Sequence, residues 1–274
     1  MLRQRTIVAI ILVPVVVGLV RVGGLLYAGV ILAVLALGAL EFTRMVQAAG
    51  ADVSPVAAVG GTVAVAIGAA HPEQQWLEPI LATFLIGTTA LYAARYERGA
   101  EAPLLGWAAT LAAGCYLGYL GGSLIALREL SQGFWWTMTV LPGVWLADTG
   151  AYTIGSIMGK HKLVPRLSPK KSWEGLLAGI VIGTVGAALL AAAWRTAAGP
   201  GSGLIWQHGA AIGFLVAVLG PVGDLGISMF KRQVRFKNTG NLLAGHGGVL
   251  DRIDSWLVAA ATGFFYIQWF VLNS

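Results

Sequence analysis

Nine apolar segments, at about residues 6–20, 24–40, 55–70, 76–93, 103–127, 134–155, 174–194, 207–227 and 253–272, alternate with polar connections along the chain. Blocks of this kind read as helices in lipid, because without water each backbone amide has to be satisfied within its own segment. Several fall short of the roughly 20 residues needed to cross a bilayer, and the first two are also compatible with a short hairpin. No internal repeat, heptad seam or low-complexity tract breaks the pattern. It predicts an all-α polytopic membrane protein with about nine transmembrane helices, forming a single membrane-embedded domain over residues 1–274.

Composition agrees. Hydrophobic residues make up 57% and charged residues 11% of the chain, against about 25% charged in an ordinary soluble domain, which leaves no room for a soluble domain. The opening MLRQRTIVAIILVPVVVGLV has the basic start and short apolar run of a secretory signal, but no small-residue cleavage pattern follows, so it reads as a retained first span. The single Cys115 cannot form an intrachain disulfide and is expected to be inert helix packing. The 38 glycines read mostly as sites of close helix approach.

Charge supplies the orientation. With the N-terminus cytoplasmic and six spans before residue 159, all of the 18 Lys and Arg residues except Arg21, Arg128 and Arg195 fall on the inside. Arg3 and Arg5, Arg44, Arg95 and Arg98 are among them, and the two richest groups are Lys160 to Lys171 and Lys231 to Arg252. Such a split is what the positive-inside rule requires. The last three spans then place the C-terminus outside. Topology and attraction to anionic headgroups explain part of the +6 net charge, but not why the two basic loops also carry the Pro, Gly and acidic residues.

The second of these loops is the 27-residue stretch SMFKRQVRFKNTGNLLAGHGGVLDRID, Ser228 to Asp254, set between two apolar spans. Asp148 and Asp224 lie within or at the inner ends of apolar spans, where an unpaired carboxylate costs several kcal/mol. They are therefore candidate functional groups, with pairing to a neighbouring Lys or Arg as the alternative. Glu41, Asp52, Glu73, Glu78, Glu97, Glu101 and Glu129 lie near loops or span ends and read as solvated. Asp224, Ser228 and Lys231 recur at i, i+4 and i+7 and share one face of a continuous helix. Asp251, Asp254 and Ser255 do the same at the entrance of the last span, so two carboxylate-bearing helix ends are expected to converge on one polar loop.

Carboxylates facing cations suggest a hard divalent ion with phosphates, since Mg2+ is often held by one or two carboxylates plus substrate oxygens. His246 is better suited to hydrogen-bond a phosphate or fix the loop than to bind a hard ion. Gly245, Gly247 and Gly248 permit backbone N–H groups to approach an anion, although an ordinary turn would use glycine as readily.

Ser228, Lys231, Arg232, Lys237, Gly240, His246, Gly247, Gly248, Asp251, Arg252 and Asp254 together closely resemble the signature of the phosphatidate cytidylyltransferase (CDP-diacylglycerol synthase) family. The segment DTGAYTIGSIMGKHKLVPRLSPKKSWEG, Asp148 to Gly175, and the GD pair at Gly223 and Asp224 are similar to that family's other cytoplasmic-side motifs. By motif the resemblance covers about residues 140–270, the expected catalytic half. Three positions depart from the pattern: Asn238 stands where Asp is usual, Ala244 where Pro or Gly is, and Ile227 where an acid often is. No metal or base role is carried to 238 or 227.

The resemblance implies transfer of CMP from CTP to phosphatidic acid, giving CDP-diacylglycerol and pyrophosphate in phospholipid biosynthesis. On this reading Asp224 and Asp251 bind Mg2+, and Asp254 serves a second shell or a second cation. Asp148 completes the acidic cluster or orients a lysine. Lys231, Arg232, Lys237 and Arg252 hold phosphates. Ser168, Lys170 and Lys171 bind nucleotide or headgroup, and Ser228, His246, Gly247 and Gly248 complete the substrate contacts. The family further implies a homodimer in a bacterial inner membrane with a cytoplasmic active site, membrane lipids as partners and no nucleic acid. The acceptor stays open at this point, because nothing in the cytoplasmic motifs separates phosphatidic acid from another lipid phosphate such as an isoprenoid one. A secondary transporter would require repeat symmetry and midplane charges, neither of which is visible, and no Walker A motif supports ATP hydrolysis.

Overall fold

The computed structural model describes residues 13–234, 236, 238–240 and 247–272. Each of the nine apolar segments is helical over its described residues. The helices are α1 (Val13–Val22), α2 (Gly24–Ala48), α3 (Pro55–Ala70), α4 (Leu77–Glu97), α5 (Pro103–Ala112) and α6 (Leu120–Glu129), followed by α7 (Gly133–Met158), α8 (Trp173–Ala198), α9 (Trp206–Gln233) and α10 (Leu250–Ile267). A π-helical stretch, Ala113–Tyr119, joins α5 to α6 in one rod, and a second, Gln268–Leu272, extends α10. Among the described residues six helices are long and apolar enough to cross a membrane: Gly24–Ala48, Leu77–Glu97, Pro103–Glu129, Trp173–Ala198, Trp206–Gln233 and Leu250–Leu272. α1 and α3 are apolar but shorter. The chain is an all-α integral membrane protein. Arg3 and Arg5 lie outside the described residues.

The chain divides into two compact units, Met1–Ala126 with Phe230–Ile253, and Leu127–Met229 with Asp254–Ser274. In the first, Ser54 caps α3 by accepting the Ala57 N–H, and Pro55 occupies the first turn, where its missing donor costs nothing. The Tyr92 hydroxyl accepts the Ser54 N–H at 2.8 Å and bonds Thr110 Oγ1 at 2.7 Å, so these three polar groups satisfy one another. Tyr27 donates to the Leu124 carbonyl at 3.0 Å, tying α2 to α6. The start of α10 meets α2 at Gly38, where an added Cβ would lie 3.7 Å from Ile253 and 3.8 Å from Leu250.

In the second unit α7 and α8 run antiparallel, joined by an element outside the helical pattern. This is a β-hairpin of β1 (Lys162–Val164) and β2 (Ser168–Ser172). Ser172 ends β2 and caps α8 by accepting the Gly175 N–H at 3.2 Å. Small residues set the helix spacing, as expected for packing in lipid. A Cβ on Gly179 would lie 2.8 Å from the Ala147 carbonyl, and one on Gly213 would lie 2.4 Å from that of Gly183. Pro142 and Pro221 sit inside α7 and α9.

Two expectations are corrected. Cys115 is exposed rather than packed, because the π-helical stretch buries its neighbours Gly114 and Leu117 instead. Glu41 is not solvated: it is 5% exposed inside α2. Asp52, Glu73, Glu78, Glu97, Glu101 and Glu129 are exposed as expected.

Candidate active site

Within the first unit, Asp251 gathers described residues of the α9–α10 connection and the end of α9. Lys231, in the last turn of α9, donates from Nζ to Asp251 Oδ1 at 2.7 Å, with both side chains largely buried. The other oxygen, Oδ2, accepts the Thr239 N–H at 2.9 Å and the Gly248 N–H at 3.3 Å. A carboxylate held by one ammonium and two amides is fixed in orientation, and it in turn fixes the lysine. Gly247 adopts φ +83°, a conformation available to glycine at little cost, which turns the chain into the helix start. Arg232 and Arg252 are exposed beside this pair. The anion that the Gly248 amide approaches in this structure is the carboxylate of Asp251.

Glu41 reaches the same segment from α2. Its Oε1 accepts the Val249 N–H at 2.9 Å, and its Oε2 accepts the Leu250 N–H at 3.0 Å and the Thr239 hydroxyl at 2.9 Å. The first amides of a helix have no partner in their own helix, and here an acid some two hundred positions earlier supplies one. The signal was available: Glu41 sits in the apolar run LGALEFTRM, and the argument that singles out Asp148 and Asp224 applies equally to it.

Within the second unit, β2 delivers Lys171 to Asp224 Oδ2 of α9 as an ion pair. Asp148, on α7, lies within electrostatic range of both. Gly223 brings α9 against α10, since a Cβ there would lie 2.2 Å from the Asp254 carbonyl oxygen. Asp254 is itself buried, and its Oδ1 accepts the Ser255 N–H at 2.7 Å. Ser228 lies one turn beyond Asp224 on α9. The pleat of β2 directs Lys170 away from the Lys171 face, leaving it exposed beside the half-buried Ser168. The hairpin is tied to α8 by Glu174, which accepts the His161 N–H at 3.2 Å and meets His161 Nδ1 at 2.6 Å.

Of the candidate residues, Lys237 and His246 lie outside the described residues, as do Arg235, Ala244 and Gly245. Ile227 is fully buried, an environment suited to the isoleucine found there. Among the described residues no group of three or more His, Cys, Asp or Glu is gathered as a metal site. Mg2+ does not require one, because phosphates and water complete its shell around one or two carboxylates. Asp148 and Asp224, already sharing the field of the Lys171 ammonium, are hard oxygen donors around a positive charge and fit that requirement.

Residues 3–270 match the model of the cytidylyltransferase family. The chain is 36% identical to a phosphatidate cytidylyltransferase of Pseudomonas aeruginosa over 284 aligned residues, covering 98% of this chain and 97% of the relative. It is 44% identical to a phosphatidate cytidylyltransferase of Haemophilus influenzae over 132 residues, 47% of this chain and 44% of that one. For a phosphatidate cytidylyltransferase of Mycobacterium leprae the identity is 42% over 118 residues, 43% of this chain and 36% of the relative.

Proposed function

Because the chain belongs to the cytidylyltransferase family, we infer that it transfers CMP from CTP to phosphatidic acid, forming CDP-diacylglycerol and pyrophosphate in phospholipid biosynthesis. The observation that carries this reading is similarity to a phosphatidate cytidylyltransferase over almost the full length of both chains. A phosphate oxygen of the lipid attacks the α-phosphorus of CTP, the bond from that phosphorus to the bridging oxygen breaks, and pyrophosphate leaves with the electron pair. A phosphomonoester has its second pKa near 6, so the acceptor is largely a dianion at neutral pH. No side chain has to remove a proton. The protein's task is to hold two polyanions in line and stabilise the leaving charge.

The residues are assigned to that task as follows. Lys231, oriented by Asp251, and the exposed Arg232 and Arg252 hold phosphates. Lys171, oriented by Asp224, does the same from the hairpin, with Ser168 and Lys170 beside it. Ser228, Lys237, His246, Gly247 and Gly248 remain proposed substrate contacts. Mg2+ is assigned to Asp224 with Asp148, and Asp251 and Asp254 are the carboxylates proposed for further metal contacts or a second cation. Bound there, Mg2+ would neutralise triphosphate charge and stabilise the departing pyrophosphate.

The proposed topology has nine spans, a cytoplasmic N-terminus, an outside C-terminus and the site on the cytoplasmic face of a bacterial inner membrane. Its support is the asymmetry of Lys and Arg. A homodimer is proposed on family resemblance alone and is checked by mass measurement in detergent.

The deciding experiment incubates purified protein with CTP, phosphatidic acid and Mg2+, follows pyrophosphate, and identifies the lipid product by mass. CDP-diacylglycerol formation that EDTA abolishes and Mg2+ restores is the expected result, with Asp224→Asn and Asp251→Asn inactive but still inserted. Near-normal turnover in either variant would refute its metal or orienting role. Product with another lipid phosphate but none with phosphatidic acid would overturn the acceptor.

A further inference from the structure

We propose that Glu41 is a positioning residue for this reaction: from α2 its buried carboxylate holds Thr239 and the start of α10 together and sets the orientation in which Asp251 meets Lys231. Three donors converge on it, the amides of Val249 and Leu250 and the hydroxyl of Thr239, all at 2.9–3.0 Å. Leu250 immediately precedes Asp251, and the Thr239 amide bonds Asp251 itself. The two carboxylates therefore grip the same residue from opposite ends, Glu41 by its hydroxyl and Asp251 by its backbone N–H. Moving Glu41 would move the partners that orient Asp251.

Two signature glycines report the same clamp. A Cβ on Gly240 would lie 2.4 Å from Glu41 Oε1, and one on Gly248 would lie 2.4 Å from Glu41 Oε2 and 2.0 Å from the Thr239 hydroxyl. Both glycines make room for an internal anion. A negative group is also the right partner electrostatically, since it stands at the positive end of α10. Burial at 5% exposure leaves Glu41 no route to touch a substrate, so it acts through the segment it holds.

This inference rests on Asp251 orienting Lys231 in the reaction proposed above. The test compares Glu41→Gln, which keeps the shape and loses acceptor capacity, with Glu41→Asp and the wild type, all as full chains in detergent. Three quantities are read: kcat and KM for CTP, the thermal midpoint, and hydrogen exchange of the Val249 and Leu250 amides. Glu41→Gln is expected to speed exchange at these two amides and to lower kcat roughly 10- to 100-fold, the scale of a small misplacement in a site, with the thermal midpoint little changed. Glu41→Asp is expected to recover part of both losses, since it restores the charge on a shorter stem.

Wild-type kcat in Glu41→Gln despite fast amide exchange would overturn the proposal. So would an activity loss matched by the loss of folded protein, which marks a purely structural acid, and so would unchanged amide protection. A wild-type chain that makes no CDP-diacylglycerol refutes the functional reading instead, and the exchange measurement still reports separately on whether the clamp exists.

Discussion

Lys170 and Lys171 are neighbours in sequence and opposites in environment. The pleat of β2 turns Lys171 to Asp224 and leaves Lys170 exposed. Lys171→Met is therefore expected to cost roughly 1.5–3 kcal/mol in kcat/KM, the worth of a hydrogen bond to a charged group, and Lys170→Met less than about 1 kcal/mol, as for exposed ion pairs. Equal losses would mean that the strand register does not discriminate between them. Gly248→Ala makes a separate claim, because its methyl would meet both Glu41 and Thr239. Overpacking of this sort costs about 1–3 kcal/mol, to be read as a fall in thermal midpoint. Part of that cost should vanish when Glu41 is first replaced by Ala, since removing the carboxylate removes one of the two clashes.

At the scale of elements, glycine and alanine decide which helices touch. Gly213 on α9 lies against the Gly183 backbone of α8, while Gly87 on α4 has nothing within 4 Å of its added Cβ. Gly213→Leu is expected to unfold the second unit or lower its thermal midpoint strongly. Gly87→Ala is expected to be neutral or to stabilise by up to about 1 kcal/mol through the helix preference of alanine. The nine apolar segments were legible as helices because the period and length of an apolar run are local properties. The hairpin was not, since KLV and SPKKS carry no long alternating pattern, and the strands exist through mutual pairing and the cap that Ser172 places on α8. The π-helical stretch at Ala113–Tyr119 was hidden for a similar reason. Its Gly118 meets α3 backbone, with an added Cβ only 2.7 Å from the Thr62 carbonyl, and no local preference encodes that contact.

For the whole molecule, the distribution of Lys and Arg makes a claim about orientation that can be tested without activity. In a Cys115→Ser background, Arg166→Cys in the hairpin is expected to be protected from a membrane-impermeant thiol reagent applied to intact cells. Gly201→Cys, between α8 and α9, is expected to react. The opposite pattern would invert the topology and move the basic loops away from cytoplasmic CTP.

The chain by itself determined the membrane class, the positions of the helices and the reaction. Hydropathy is written residue by residue, and a substrate-bearing motif keeps its residue types at fixed spacing. It also singled out Asp148 and Asp224 as acids that lipid would not tolerate unpaired, and Asp251 by its place in the signature at the entrance of the last span. Their partners were decided only in three dimensions. Lys171 belongs to Asp224, Lys231 to Asp251, and the amides opening α10 to Glu41. Hydrogen bonds and ion pairs act over about 3 Å of space whatever the separation along the chain, so an acid at position 41 and a helix start at position 250 become neighbours only once the fold is complete.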